Sequence, residues 1–556
     1  MALFNIENLS FTYPGQEKPV LDNISLDINR GEFMVLCGQS GCGKTTLLKT
    51  LKNQLRPKGE LNGRITYCGK DVTALDERVS AAEIGFVLQN PENQIVTDRV
   101  WHELGFGLES LGADRNFIRR RVSETASFFG MEKLFRAETA LLSGGQKQLL
   151  SLASVMVMSP KVLLLDEPTS QLDPIAAAEF IGTLNKINKE FGTAIVIAEH
   201  RLEELFPICD RAVVMEKGRI LADDTPRKVC QGLDKNHPMV CSMPSAVRIY
   251  ALSGGEGGCP LTVKEGRSYL AENAKNSIRS LPPKKPHNNT ETAVEMKDVW
   301  FRYSRKGADI LRGVSLKINK GEIYTILGGN GSGKTTTLNV MAALLKAYSG
   351  TVRIFGKKIT DFGGNSLYRQ NISALPQNPS LVFLKDTVKE DFEDICAVCG
   401  YDQKESAQII ADTAQKLEIA HLLDRHPFDL SGGEQQKCAI AKCLLTKPKI
   451  LLMDEPTKGI DAFAKNSLSD IIRGLKARGV TVVIVSHDVE CAGEISDRCA
   501  MFFDGEIICE DGAAEFFSGN SYYTTAANRI TRGFYDNVVT CAQAAELIRL
   551  NGEKNG

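Results

Sequence analysis

The stretch GQSGCGKTT from Gly38 returns as GGNGSGKTT from Gly328, and this repeated glycine loop limits the possible folds more than any other feature of the chain. Both copies fit the spacing GxxxxGK[ST], in which glycines let the backbone wrap its N–H groups around phosphate oxygens. The first loop comprises Gly38, Gln39, Ser40, Gly41, Cys42, Gly43, Lys44, Thr45 and Thr46; the second comprises Gly328, Gly329, Asn330, Gly331, Ser332, Gly333, Lys334, Thr335 and Thr336. Lys44 and Lys334 are expected to reach the outer phosphates, and Thr45 and Thr335 to offer a hydroxyl to Mg2+. A loop of this kind joins a buried strand to a helix, so each half is predicted to be α/β with a largely parallel sheet.

The rest of the chain keeps the same register. The loops stand 290 residues apart, as do Tyr13 and Tyr303, while Gln89 and Gln377, Ser143 and Ser431, and Asp166 and Asp454 stand 288 apart. This is a tandem duplication. VLLLDEP and ILLMDEP are apolar strands that deliver two acids at their carboxyl ends, where ligands sit in open α/β sheets. Asp166 and Asp454 are expected to hold the metal, and Glu167 and Glu455 to orient or deprotonate the attacking water.

The tetrapeptide LSGG occurs at Leu142, at Leu430 and again at Leu252, yet only the first two stand 23 residues ahead of an Asp-Glu-Pro strand. The third lacks its own glycine loop and reads as a Gly-rich turn in the tail of the first half. After the first signature, Leu149, Leu152, Ala153 and Met156 follow helical spacing. More helical insertions are expected over roughly 90–140 and 378–428. The domain reading is residues 1–276 with a C-terminal tail, a Pro-rich polar linker over 277–292, and 293–556 with its own tail.

A formal net charge of -1 removes the global basic excess of a nucleic-acid binder. No apolar run approaches the roughly 18 residues a membrane span requires, and the start shows no export signal. Fifteen cysteines in such a chain read as reduced thiols. Cys396 and Cys399 form a CxxC without a second ligand pair nearby, which argues against zinc.

Taken together, these motifs resemble those of ATP-binding cassette (ABC) ATPases, twice over and across nearly the whole chain. The resemblance implies two tandem nucleotide-binding domains, each with a RecA-like core, an antiparallel β part and a helical subdomain. It also implies ATP and Mg2+ as ligands, with Tyr13 and Tyr303 stacking on adenine. Gln89 and Gln377 would touch metal and water, while His200 and His487 would contact the γ-phosphate. In that family the signature serves the other domain's nucleotide. Ser143, Gly144 and Gly145 would therefore complete the second loop, and Ser431, Gly432 and Gly433 the first, with Asp173 and Asp461 in the loop between. One departure is Lys458 in KGID, where the first half reads SQLD; it predicts unequal rates at the two sites.

The segment QNPENQIVTDRVWHELGFGLESLG, and its counterpart QNPSLVFLKDTVKEDFEDI, resemble the ATPase components of energy-coupling factor (ECF) importers. That resemblance implies a transmembrane T-component and a substrate-binding S-component as partners, and peripheral association with the cytoplasmic face of a prokaryotic membrane. The cargo would be a vitamin, a vitamin precursor or a metal ion. Asp98, Glu103, Glu390 and Asp391 are expected to line an acidic groove for the partner's coupling helices. The rival is a soluble twin-cassette ATPase acting on ribosomes or DNA. Its long charged linker, or its zinc-binding insertions and basic faces, have no counterpart here.

Overall fold

A computed structural model describes residues 2–255, 257–273, 278–282, 291–363 and 366–552. The chain divides into two compact units, Met1–Ala251 with Gly255–Thr262, and Leu252–Gly254 with Val263–Gly556.

In the first unit a six-stranded sheet runs in the order Arg219–Asp224, Arg211–Glu216, Phe33–Gly38, Ala194–Ala198, Val162–Asp166, Ile84–Val87. Only Arg219–Asp224 is antiparallel to its neighbour. The physical reason is legible in VLLLD: every residue of Val162–Asp166 is buried, as expected where helices cover both faces of a parallel sheet. A second, antiparallel sheet orders Leu21–Asn29, Ala2–Thr12, Glu60–Tyr67 and Lys70–Asp71. Its strand Leu21–Asn29 alternates instead, burying Leu21, Ile24, Leu26 and Ile28.

The second unit repeats this plan. Its six-stranded sheet orders Ile372–Leu375, Ile450–Asp454, Thr481–Ser486, Ile323–Leu327, Arg498–Phe503 and Glu506–Gly512, beside a four-stranded antiparallel sheet. The helical insertions are Val100–Ser110 with Arg115–Phe128, and Val388–Cys399 with Gln403–Lys416.

The helix after the first signature is Gly144–Met156, but its buried face is wider than the spacing suggests. Leu152 and Ala153 are buried, while Leu149 and Met156 are only half-buried; Gln148, Leu150, Ser151 and Val155 fill the rest. Neighbours on several sides cover this helix, so no narrow stripe survives.

Helix Ser245–Leu252 ends in a turn at Ser253 and Gly254, with φ of 120° at Gly254 and 69° at Gly255. The Ser253 hydroxyl lies 3.0 Å from the Tyr269 hydroxyl. Tyr269 belongs to helix Val263–Asn273, whose Arg267 donates to the carbonyls of Arg529 and Arg532 and sits over the Phe534 ring. This tail helix is thereby part of the second compact unit. Of the expected linker, 277 and 283–290 lie outside the described residues. Residues 278–282 carry no helix or strand, and the Ile278 backbone pairs with the side chain of Asn551.

Candidate nucleotide sites

In the first half, strand Phe33–Gly38 runs into the glycine loop and helix Lys44–Thr50 leaves it. Gly38 has no alternative residue, since a Cβ there would stand 2.3 Å from the Met215 carbonyl oxygen. Gly328 meets the same limit, 2.4 Å from the carbonyl oxygen of Phe502. Gln39, Ser40 and Gly41, like Gly329, Asn330 and Gly331, form the exposed rim of each loop, whereas Cys42 and Gly43 are buried beneath it. Lys44 Nζ donates to the carbonyls of Gly38 (3.0 Å) and Gln39 (3.1 Å); Lys334 Nζ does the same to Gly328 (2.9 Å) and Gly329 (2.8 Å). Both ammonium groups are thus held inside the cradle.

Thr45 donates to Asp166 at 2.8 Å and Thr335 to Asp454 at 3.1 Å, across 121 and 119 residues of sequence. Burial raises both carboxyls above the ordinary aspartate value, against the pull of the threonine hydroxyl; Asp454 is pushed up to about 6. The Lys458 charge acts on Asp454 in the opposite sense. Tyr13 and Tyr303 each stand edge-on to a phenylalanine with ring centroids 5.0 Å apart. Their hydroxyls lie 3.1 Å from Thr46 and Thr336 respectively.

These residues fit ATP and Mg2+. A buried carboxylate beside a more accessible threonine hydroxyl is an oxygen donor set suited to a hard cation. In addition, the Ser332 hydroxyl is buried in the second loop with no hydrogen-bond partner among the described residues.

The acid after each of these aspartates has a left-handed backbone, with φ of 45° at Glu167 and 47° at Glu455. Glu167 Oε1 is 2.8 Å from His200 Nε2, and its Oε2 accepts from Gln89 Nε2 at 3.0 Å. Glu455 points elsewhere: its Oε2 accepts from the His487 backbone N–H (3.3 Å) and the Ser486 hydroxyl (3.4 Å). His487 Nδ1 lies 2.8 Å from that oxygen but outside hydrogen-bonding geometry. Gln377 is exposed and makes no bond to Glu455 among the described residues.

Ser143 and Ser431 cap the helices Gly144–Met156 and Gly432–Leu445, each in a reciprocal capping box with Gln146 or Glu434. Gly145 and Gly433 allow close packing on Ala176 and Ala464. Asp173 and Asp461 cap the next helices, accepting from Ala176 N–H and Ala464 N–H. Ser253 is no such cap, which separates the third LSGG from the two regular copies.

Two acids do not lie where a docking groove requires. Glu103 is 4% and Asp391 0% exposed. Glu103 accepts from the Val96 and Thr97 N–H groups; Asp391 accepts from Leu384 N–H, Lys385 N–H and Lys442 Nζ. They tie down the loops before their helices, because chain turns leave N–H groups that need an acceptor. Asp98 and Glu390 are exposed as expected. Sequence reasoning missed Glu199, a buried acid whose only outward signal is that AEH stands where the second half has VSH.

The sequence profile of the ABC transporter family matches residues 21–170 and 311–458. The chain belongs to the ABC transporter family. A provisionally named ABC transporter ATP-binding protein of Bacillus thuringiensis subsp. konkukian is 41% identical over 96% of both chains. One from Methanosarcina acetivorans is 32% identical over 92% of this chain and 85% of its own. Among solved structures, CbiO1 of Clostridium perfringens, described as part of the ABC transporter complex CbiONQ, shares 31% identity. It covers 43% of this chain and 97% of its own at a TM-score of 0.38. The chain is therefore a twin-cassette ABC ATPase that uses ATP and Mg2+, and as a transporter ATPase it works with membrane components.

Proposed function

We propose that this ATPase is the motor of an ECF-type importer, docking a transmembrane T-component that carries a substrate-binding S-component. The carrying observation is an apolar ledge beside each helical insertion. Val96 is 65% exposed, with Trp101 and Phe106 also bare; Leu384 is 79% exposed, with Leu381 beside it. Large apolar side chains grouped this way mark a surface that a partner covers. No helix among the described residues is long and apolar enough to cross a membrane, so the spans belong to that partner.

In this reading Lys44, Thr45, Asp166 and Gln89 hold the first metal-nucleotide, and Lys334, Thr335, Asp454 and Gln377 the second. Bound Mg2+ neutralises phosphate charge. Glu167 and Glu455 position water and accept its proton, and His200 and His487 steady the terminal phosphate. The signature of each cassette completes the loop of the other, as the family resemblance implies.

The test is co-purification from membranes of cells expressing the full chain with its neighbours. Val96→Asp with Leu384→Asp should release the membrane partner while ATP binding persists; undiminished co-purification would refute the docking assignment.

A further inference from the structure

We infer that Glu199 is a positioning residue that presents the catalytic acid of the first cassette, and so makes the two ATP sites unequal. The inference rests on the proposed catalytic roles of Glu167 and Glu455.

The backbones of the two acids are alike. Besides matching φ values, Glu167 N–H donates to the Ala198 carbonyl at 2.9 Å and Glu455 N–H to the Val485 carbonyl at 2.8 Å. The difference lies in the side chains. Each acid lies 2.8 Å from a ring nitrogen of its histidine, but Glu455 is folded inward onto the His487 N–H and the Ser486 hydroxyl with that ring nitrogen outside hydrogen-bonding geometry, whereas Glu167 meets His200 Nε2 and reaches out to Gln89.

Glu199 stands where the second cassette has Ser486, and it takes the inward berth for itself. Its Oε2 accepts from the His200 N–H at 3.0 Å; its Oε1 accepts from the Thr169 N–H at 2.8 Å and the Thr169 hydroxyl at 2.6 Å. At 1% exposure this carboxylate is sustained by those donors. A second carboxylate entering the same berth would find the His200 N–H occupied and meet a like charge in a poorly solvated place. Glu167 is thereby kept outward.

In the second cassette Ser486 brings a hydroxyl donor in place of that carboxylate, and Glu455 Oε2 accepts from both it and the His487 N–H. Glu199 also fastens the start of the loop leading to Asp173, because Thr169 opens the segment TSQLD. One side chain thus couples the histidine, the acid and that loop.

The test measures steady-state ATP turnover by the full chain in a Glu455→Gln background, where hydrolysis comes from the first cassette. Adding Glu199→Ser should lower kcat about tenfold or more with KM for ATP little changed, since misplacing a catalytic group damages the reaction more than binding. Glu199→Gln fills the same space and should retain more activity than serine. A crystal structure of Glu199→Ser should show Glu167 on the His200 N–H. Turnover by Glu199→Ser within twofold of its background, or equal losses in the serine and glutamine variants tracking a fall in melting temperature, would overturn the proposal. The two failures are separable: hydrolysis persisting in Glu167→Gln with Glu455→Gln would sink the catalytic assignment itself, whereas its loss alongside a silent Glu199→Ser would sink only the positioning role.

Discussion

Asp391 offers a direct measure of how the loop before helix Val388–Cys399 is held. Its carboxylate is wholly buried, 2.6 Å from Lys442 Nζ, and it also accepts from two successive backbone N–H groups at Leu384 and Lys385. Lys442 is itself only 12% exposed and donates to the Val382 carbonyl. Asp391→Ala leaves a buried ammonium without its counter-charge, a loss of about 3–5 kcal/mol. In the first cassette Ser154 occupies the lysine's position and bonds the Ser151 carbonyl instead. Glu103→Ala therefore strands only the Val96 and Thr97 N–H groups, at about 1–3 kcal/mol. Adding Lys442→Met to Asp391→Ala should recover part of the loss, with a coupling of about 1–3 kcal/mol. Because a two-cassette chain need not unfold in one step, the assay is native-state hydrogen exchange, following peptides of each half of the full chain across a urea series. A coupling near zero, or an Asp391→Ala no costlier than Glu103→Ala, would refute the role given to the Asp391–Lys442 pair. A purely partner-facing acid would leave these stabilities unchanged.

Three further expectations follow from the same geometry. Burial raises Asp454 from 3.8 to about 6, so the folded chain binds this proton more readily than the unfolded chain, and stability is lost as pH climbs through that window. Asp454→Asn should then raise the calorimetric melting temperature of the nucleotide-free protein at pH 8 far more than at pH 4; equal shifts would contradict it. Gly38→Ala, whose Cβ meets the Met215 carbonyl at 2.3 Å, should weaken nucleotide binding at the first site at least tenfold, read by titration with a fluorescent ATP analogue in a Lys334→Ala background. Ser253→Ala should leave ATP turnover unchanged, since that serine caps no helix; a tenfold fall would restore the third LSGG as a site.

The grouping of the candidate site residues was legible in sequence wherever a residue type recurs at fixed spacing along one strand-loop-helix unit. Lys44 and Asp166 illustrate this, since the loop and the strand end are each local and the parallel sheet brings them together in only one way. Two of the four acids assigned to the acidic groove were misread for a related reason. Glu103 and Asp391 stand at the expected helical positions, but sequence does not reveal which side chain turns back to satisfy the N–H groups of a preceding loop. The helix Gly144–Met156 shows the same limit, because a face covered from several sides has no clean period.

Sequence alone determined the duplication, the order of strand and loop, and the chemistry of each cradle, because these depend on short-range spacing and on buried runs long enough to name their sheet. Only the tertiary structure decided that Glu199 holds the His200 N–H while Ser486 yields its counterpart to Glu455. That choice turns on which of two side chains fills one small buried place, and competition for a single hydrogen-bond donor exists only once distant segments have come together.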